Sequence, residues 1–128
     1  MAESIVCQKS YDFALKVIKV CYQLKDNNHF EIARQLLRSG TSIGANIEEA
    51  LAGQSRKDFF AKMSTASKEA RESKYWLRLL KDSGISDSHD VQKLIENSDE
   101  LIKILTSIIK TGYETQKTTQ NSKPRTQN

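Results

Sequence analysis

Apolar residues return every third or fourth position in four separate runs along the chain, the spacing that lines one face of an α-helix. In the first run Phe13, Ala14, Val17, Ile18, Cys21 and Leu24 form the stripe while Lys9, Lys16, Lys19 and Lys25 sit mostly opposite, predicting a helix over about residues 4–26 with Ser4 or Ser10 as N-cap. After the polar turn Asp26 to His29 a second helix is expected over 30–52, with Gly53 as C-cap. It carries two stripes: Phe30, Ala33, Leu37, Gly40, Gly44, Ile47 and Leu51, and beside them Ile32, Leu36, Ser39, Ile43, Asn46 and Ala50. Two stripes mean two packing partners. Ser55, with Asp58 three residues on, caps a third helix over 56–82, whose core stripe is Phe59, Met63, Ala66, Ala70, Ser73, Leu77 and Leu80 and whose end is marked by Ser83 and Gly84. Ser86 or Asp87 caps a fourth over 87–113, built on Val91, Leu94, Ile95, Ser98, Leu101, Ile102, Leu105, Ile108 and Ile109. Residues 114–128 show no apolar periodicity and read as a disordered, mildly basic tail.

Short connections force sequential helices antiparallel, so the expected architecture is all-α: an antiparallel up-down-up-down four-helix bundle over residues 1–113. The second helix is unusual in holding two glycines, Gly40 and Gly44, each unfavourable by about 1 kcal/mol against Ala in a helix interior. Close backbone approach by a neighbour offsets that. Folding back around residues 54 and 55 sets Gly44 against Thr65 and Ala66, and Gly40 against Glu69 and Ala70, so that small residues meet small residues. Asn46, a polar residue on an apolar stripe, is expected to fix the register of that packing.

Composition narrows the class further. At 128 residues the chain forms one domain with an ordinary core, and one proline, five glycines and 7% aromatics leave no basis for a sheet. No apolar run approaches the roughly 20 residues that span a bilayer, and no leader pattern opens the chain, so no membrane partner and a cytoplasmic location are expected. Cys7 and Cys21 lie on one helix about 21 Å apart and cannot bridge each other within the chain. Both read as reduced, serving as packing residues or, alternatively, as an intermolecular link.

Catalytic chemistry finds little support. Gly40-Thr41-Ser42-Ile43-Gly44 matches the G-x-S-x-G pattern of serine hydrolases, but that nucleophile needs a strand before it, and here both flanks are helical. Its hydroxyls are expected to bond the preceding turn of the helix. His29 and His89 lie in turns with no Cys or carboxylate at zinc-ligand spacing, and no Glu-x-x-His pair suggests a di-iron site. No catalytic residue, metal or cofactor is expected. Charge is more informative. Residues 55–84 carry eight Lys and Arg against four Asp and Glu, a net +4 equal to that of the whole chain. On a helical wheel Arg56, Lys57, Lys68, Arg71, Lys74, Arg78 and Lys81 fall within about 140° and run for roughly 37 Å, long enough to follow a phosphate backbone, though Glu69, Glu72 and Asp82 lie close enough to dilute the stripe. Tyr75, Trp76 and Leu79 fall beside the core stripe and either complete the core or, for at least one of them, form an oligomer contact.

Three stretches carry a family resemblance: Q-L-L-R-S-G-T-S-I-G-A-N-I-E-E-A at 35–50, D-F-F-A-K-M-S at 58–64 and K-E-A-R-E-S-K-Y-W-L-R-L-L at 68–80. Together they resemble the four-helix-bundle family of 23S rRNA intervening sequence proteins, over about residues 4–112. That resemblance implies a ring-shaped homopentamer without established enzymatic activity. The chain is also similar to the accessory variability proteins of diversity-generating retroelements, which implies RNA or DNA and a nucleic-acid-processing protein as partners. The reading is a non-enzymatic ring-forming bundle acting as an adaptor or scaffold through its basic face; the alternative is an oligomer with protein-protein or structural roles only. Thr65 and Ser67 stand where more apolar residues are expected for that family, and the tail lies outside the shared pattern.

Overall fold

The computed structural model describes the backbone of residues 1–53 and 55–122 and, within that span, side chains as far as Tyr113. Four helices follow in order: α1 (Ala2–Asp26), α2 (Phe30–Ala52), α3 (Arg56–Asp82) and α4 (His89–Ser122). Each packs on the helix before and after it in sequence, and α1 closes the square against α4. This is the antiparallel four-helix bundle that the periodicity predicts.

The centre is filled by Phe13, Val17, Leu36, Ile43, Ile47, Met63, Leu77, Leu80, Leu94, Leu101 and Leu105, all essentially inaccessible. Every helix also buries a serine completely: Ser10, Ser39, Ser73 and Ser98. A serine is small enough for close helix approach, and its hydroxyl is satisfied by a carbonyl of its own preceding turn: Ser10 Oγ donates to Cys7 O at 2.9 Å and Ser98 Oγ to Ile95 O at 2.7 Å. Ser39 and Ser73 meet across the α2/α3 seam at 2.9 Å. Among the described residues no buried polar side-chain atom lacks a partner.

The ends of the helices differ in detail from expectation. The first helix starts at Ala2, before either Ser4 or Ser10, and its N-terminus has no side-chain cap; Ser10 is a core residue instead. Ser55 caps α3 as predicted, accepting the Asp58 N–H at 3.0 Å. Ser88, rather than Ser86 or Asp87, accepts the Val91 N–H at 3.2 Å and begins α4. Gly53 ends α2 in an extended conformation, whereas the left-handed residue after α3 is Gly84, at φ 80°. The backbone of 114–122, expected to leave the bundle as a tail, continues α4 to Ser122. Between Gly112 and Pro124 no residue breaks a helix, and one already nucleated by the bundle propagates readily through Thr, Gln and Lys. The rest of the expected tail, 123–128, lies outside the described residues.

The largest correction concerns the glycines. Gly40 and Gly44 face α1, not Ala66 and Ala70 of α3. A Cβ on Gly40 would lie 2.8 Å from Val17 Cγ1, and one on Gly44 would lie 3.2 Å from Ser10 Oγ. Ala66 and Ala70 are buried as expected, but in the bundle core. The stripe reading places all of these residues inside without saying which neighbour each one meets. Asn46 is corrected likewise: it is half-buried and its Nδ2 donates to Ser42 O of its own helix at 2.8 Å, so it ties no neighbour in register. Phe30 and Leu51, assigned to the first stripe of α2, are exposed; Phe59 packs half-buried against the core as expected, and Phe60 beside it is buried as well. Phe60 is held there by Gly112, where an added Cβ would overlap its ring, and it stacks on Tyr113 with centroids 4.8 Å apart.

Candidate nucleic-acid interface

The seven cations predicted to form one basic stripe do lie along α3, but their neighbours divide them. Arg56, the first residue of the helix, holds its guanidinium 5.8 Å from the Phe59 ring centre and 5.2 Å from that of Phe60. It lines a recess of about 280 Å³ with Glu3, Phe59, Ser107 and Thr111 at one end of the bundle. Lys74 turns towards α4, where its Nζ lies 2.7 Å from Asp99 Oδ1. Lys81 does the same and donates to Gln92 Oε1 at 2.6 Å. The remaining four, Lys57, Lys68, Arg71 and Arg78, are exposed and have no ion-pair partner among the described residues.

The acids that should dilute the stripe are largely occupied elsewhere. Arg38 of α2 reaches across the seam to two of the three, with Nη1 3.1 Å from Glu69 Oε2 and Nη2 on Glu72 Oε2, while Asp82 at the end of α3 stays exposed. Glu72 also accepts the Trp76 Nε1–H at 3.0 Å. The Trp76 bond, and then the Arg38 bond, hold the Glu72 carboxyl below its ordinary range against the opposing effect of its partial burial. The same Glu72 bond raises the Arg38 guanidinium. Lower on the seam Glu49 accepts from Lys62 at 2.9 Å and raises that ammonium. Two acidic positions of α3 are therefore turned towards α2, and the outward ridge of α3 and its α4 side are left basic.

Of Tyr75, Trp76 and Leu79, only Trp76 packs against the core. Tyr75 and Leu79 are exposed, and Trp76 is half-buried, packed edge-on against Tyr75 with ring centres 5.2 Å apart. Their place is the α2 side of α3, next to the Arg38 cluster.

Helix α2 runs unbroken through Gly40 to Gly44, so the serine in that motif has no strand behind it. Thr41 Oγ1 donates to Leu37 O at 2.7 Å and Ser42 Oγ to Arg38 O at 2.6 Å, the bonding to the preceding turn that the sequence predicts. Among the described residues no three His, Cys, Asp or Glu gather where they could hold a metal ion. The Cys21 thiol is buried, which pushes it up to about 11 and keeps it protonated; Cys7 is half-buried and packed against the core. Among the described residues no helix is long and apolar enough to cross a membrane. Sequence reasoning missed Arg38 altogether. Its signal was present as one of two cations of α2, with Arg34 a turn before it, but only the fold places it beside two acids more than thirty residues away.

An antiparallel bundle with a glycine-lined seam, a buried serine in each helix and a basic outer ridge defines a small all-α four-helix-bundle class. The chain belongs to the family of 23S rRNA-intervening sequence proteins, whose pattern it matches over residues 2–107. It is also similar to the crystal structure of a protein of unknown function from the S23 ribosomal protein family of Bacteroides thetaiotaomicron, with 41% identity, a TM-score of 0.82, and coverage of 86% of this chain and 99% of that one. No curated protein matches the chain significantly.

Proposed function

We propose that this protein is a non-enzymatic, self-assembling scaffold that contacts RNA or DNA through the outward and α4-facing side of α3, and so serves as an adaptor for a nucleic-acid-processing partner. The observation that carries this reading is the exposure of Lys57, Lys68, Arg71 and Arg78 with no ion-pair partner among the described residues, while Glu69 and Glu72 are drawn away by Arg38. Unpaired cations along one helix present the charge that phosphates recognise, and repetition around a ring strengthens the field. The family resemblance to ring-forming, nucleic-acid-binding bundles supports the same direction; the ring there is a homopentamer.

Filter binding of a structured RNA between about 50 and 200 mM salt tests this, because several phosphate contacts must give a steep decline in affinity. Arg71→Glu with Arg78→Glu is expected to weaken binding at least tenfold and flatten the slope. Lys74→Gln, whose charge is already satisfied by Asp99, is expected to change binding only slightly. A flat salt response for the unaltered protein overturns the reading. It would favour the second one, an oligomer with protein partners only, for which the exposed Tyr75 and Leu79 beside the half-buried Trp76 speak.

A further inference from the structure

The seam between α3 and α4 repeats with a period of seven. Lys81 bonds Gln92, Lys74 pairs with Asp99 and Phe60 stacks on Tyr113, so facing positions sum to 173 in each of these pairs. That register places the cations around the seam. Lys57, Arg71 and Arg78 each lie one turn before a rung of this ladder on α3, and Lys103 and Lys110 lie one turn from the Asp99 and Tyr113 rungs on α4; all five are exposed and have no ion-pair partner among the described residues. Lys103 is level with residue 70, beside Arg71. Lys110 is level with residue 63, close to midway between Lys57 and Arg71.

Two rows of positive charge therefore border the groove between α3 and α4, over roughly 32 Å from Lys57 to Arg78 at 1.5 Å per residue. The acid inside the groove, Asp99, is neutralised by Lys74 at 2.7 Å, and Glu96, level with Arg78, marks its far end. An aromatic ring stands at the near end. Tyr113 lies with one face on Phe60, the ring planes 6° apart, and yet is 57% exposed. Phe60 is itself buried and carries the Arg56 guanidinium 5.2 Å from its ring centre, so the support under Tyr113 is fixed.

We infer that this groove holds a single-stranded polynucleotide, with its phosphates on Lys57, Arg71, Lys103 and Lys110 and one of its bases stacked on Tyr113. A charged groove that follows the backbone, with an exposed aromatic ring to take a base, is the arrangement that binds single strands without regard to sequence. A duplex fits it poorly. Its strands complete a turn in about 34 Å, close to the length of the groove, so each would face the two helices over only part of that distance, and its stacked bases would offer Tyr113 no free face. A single strand follows the groove throughout and can turn a base aside. The inference rests on the nucleic-acid reading above and adds the class of strand and the residues of α4 that hold it.

Fluorescence anisotropy on the full chain tests it, with labelled single strands of about 16 nucleotides and blunt duplexes of the same sequence, in RNA and DNA forms, at about 50 mM salt. The single strand is expected to bind at least tenfold more tightly than the duplex; either sugar form that does so supports the inference, and the tighter one identifies the source of the strand. Lys103→Glu with Lys110→Glu is expected to weaken the single strand at least tenfold. Tyr113→Ala is expected to weaken it about tenfold, while Tyr113→Phe, which keeps the ring, binds as the unaltered protein does. Circular dichroism checks that each variant remains helical, and the charge reversal at two exposed positions decides the matter if Tyr113→Ala unfolds. A duplex bound as tightly as the single strand overturns the class of strand. Binding that ignores the α4 reversal but falls with Arg71→Glu and Arg78→Glu confines the site to α3 and overturns the groove, and a folded Tyr113→Ala that binds normally overturns the stacking. Failure of every probe to bind at low salt overturns the nucleic-acid reading itself, and this inference with it.

Discussion

The two seams of α2 are built on opposite principles. Towards α1, the helix offers Gly40 and Gly44, and the neighbouring backbone moves in until Val17 and Ser10 occupy the space of the missing side chains. Contact there is steric and apolar. Towards α3, the helix offers Ser39, Arg38 and Glu49, which meet Ser73, Glu69, Glu72 and Lys62. That seam is held by directional polar contacts, buried at its centre and solvated at its edge. One helix thus uses close packing on one side, where shape sets the register, and hydrogen bonding on the other, where partner identity does. The steric seam should tolerate added volume least, and the polar seam should respond to the loss of single atoms and to pH.

The steric seam can be broken most severely at Gly40. Gly40→Leu forces a branched side chain into Val17, a rigid neighbour packed in the core, and overpacking of this kind costs about 1 to 3 kcal/mol or more. Even Gly40→Ala places a Cβ closer to Val17 than side chains normally come. Gly44→Ala provides the contrast. Its Cβ meets the Ser10 hydroxyl at 3.2 Å and the Ser10 backbone carbon and Cβ at an ordinary 3.6 Å, and the helix gains about 1 kcal/mol of propensity, so the net change is expected to lie near zero. Urea denaturation of the two alanine variants measures the difference directly. Equal loss at both positions would mean that the glycines do not face α1 in this order.

Next in size is the serine pair. Ser73 Oγ lies 2.9 Å from both Ser39 Oγ and Glu69 O, and Ser39 Oγ also reaches Leu36 O, so two hydroxyl protons serve three acceptors. Ser39→Ala and Ser73→Ala are each expected to cost about 1 kcal/mol, and the double variant less than their sum, because removing both partners leaves no hydroxyl stranded. A double-mutant cycle by chemical denaturation checks this. Strict additivity would show that the two hydroxyls act independently.

This contrast marks where sequence reading succeeds. Period identifies the helices, their order and most of the core, because Met63, Leu77, Leu94 and Leu105 can be buried only one way on an amphipathic helix. Partner choice is different. Gly40 and Ala66 are both small and both buried, and nothing local states that the glycine faces α1. The glycine that does hold an aromatic ring, Gly112, lies near the end of α4, beyond the stretch that small residues made conspicuous. The basic stripe was legible as charge, but its division into paired and unpaired cations depended on Asp99 and Gln92 of α4, which spacing within one helix does not reveal.

The finest probe of the polar seam is pH. Glu72 accepts from Trp76 and Arg38, and its carboxyl is held below its ordinary 4.5. A depressed carboxyl contributes stability that is complete above its unfolded value and is lost as pH falls through the folded value. The stabilisation is therefore present at neutral pH and disappears below pH 4.5. Its size is limited by the exposure of the pair, so a few tenths to about 1 kcal/mol is expected, reduced further by salt. Glu72→Gln keeps an oxygen acceptor for the Trp76 N–H but removes the charge that attracts Arg38. The stability gap between the unaltered protein and this variant, followed by Trp76 fluorescence in urea, should be widest at neutral pH and close as the solution is acidified. A gap that is constant from pH 7 to pH 3 would mean that the Arg38 contact contributes through packing and not through charge, and the two seams of α2 would then differ less than their chemistry suggests.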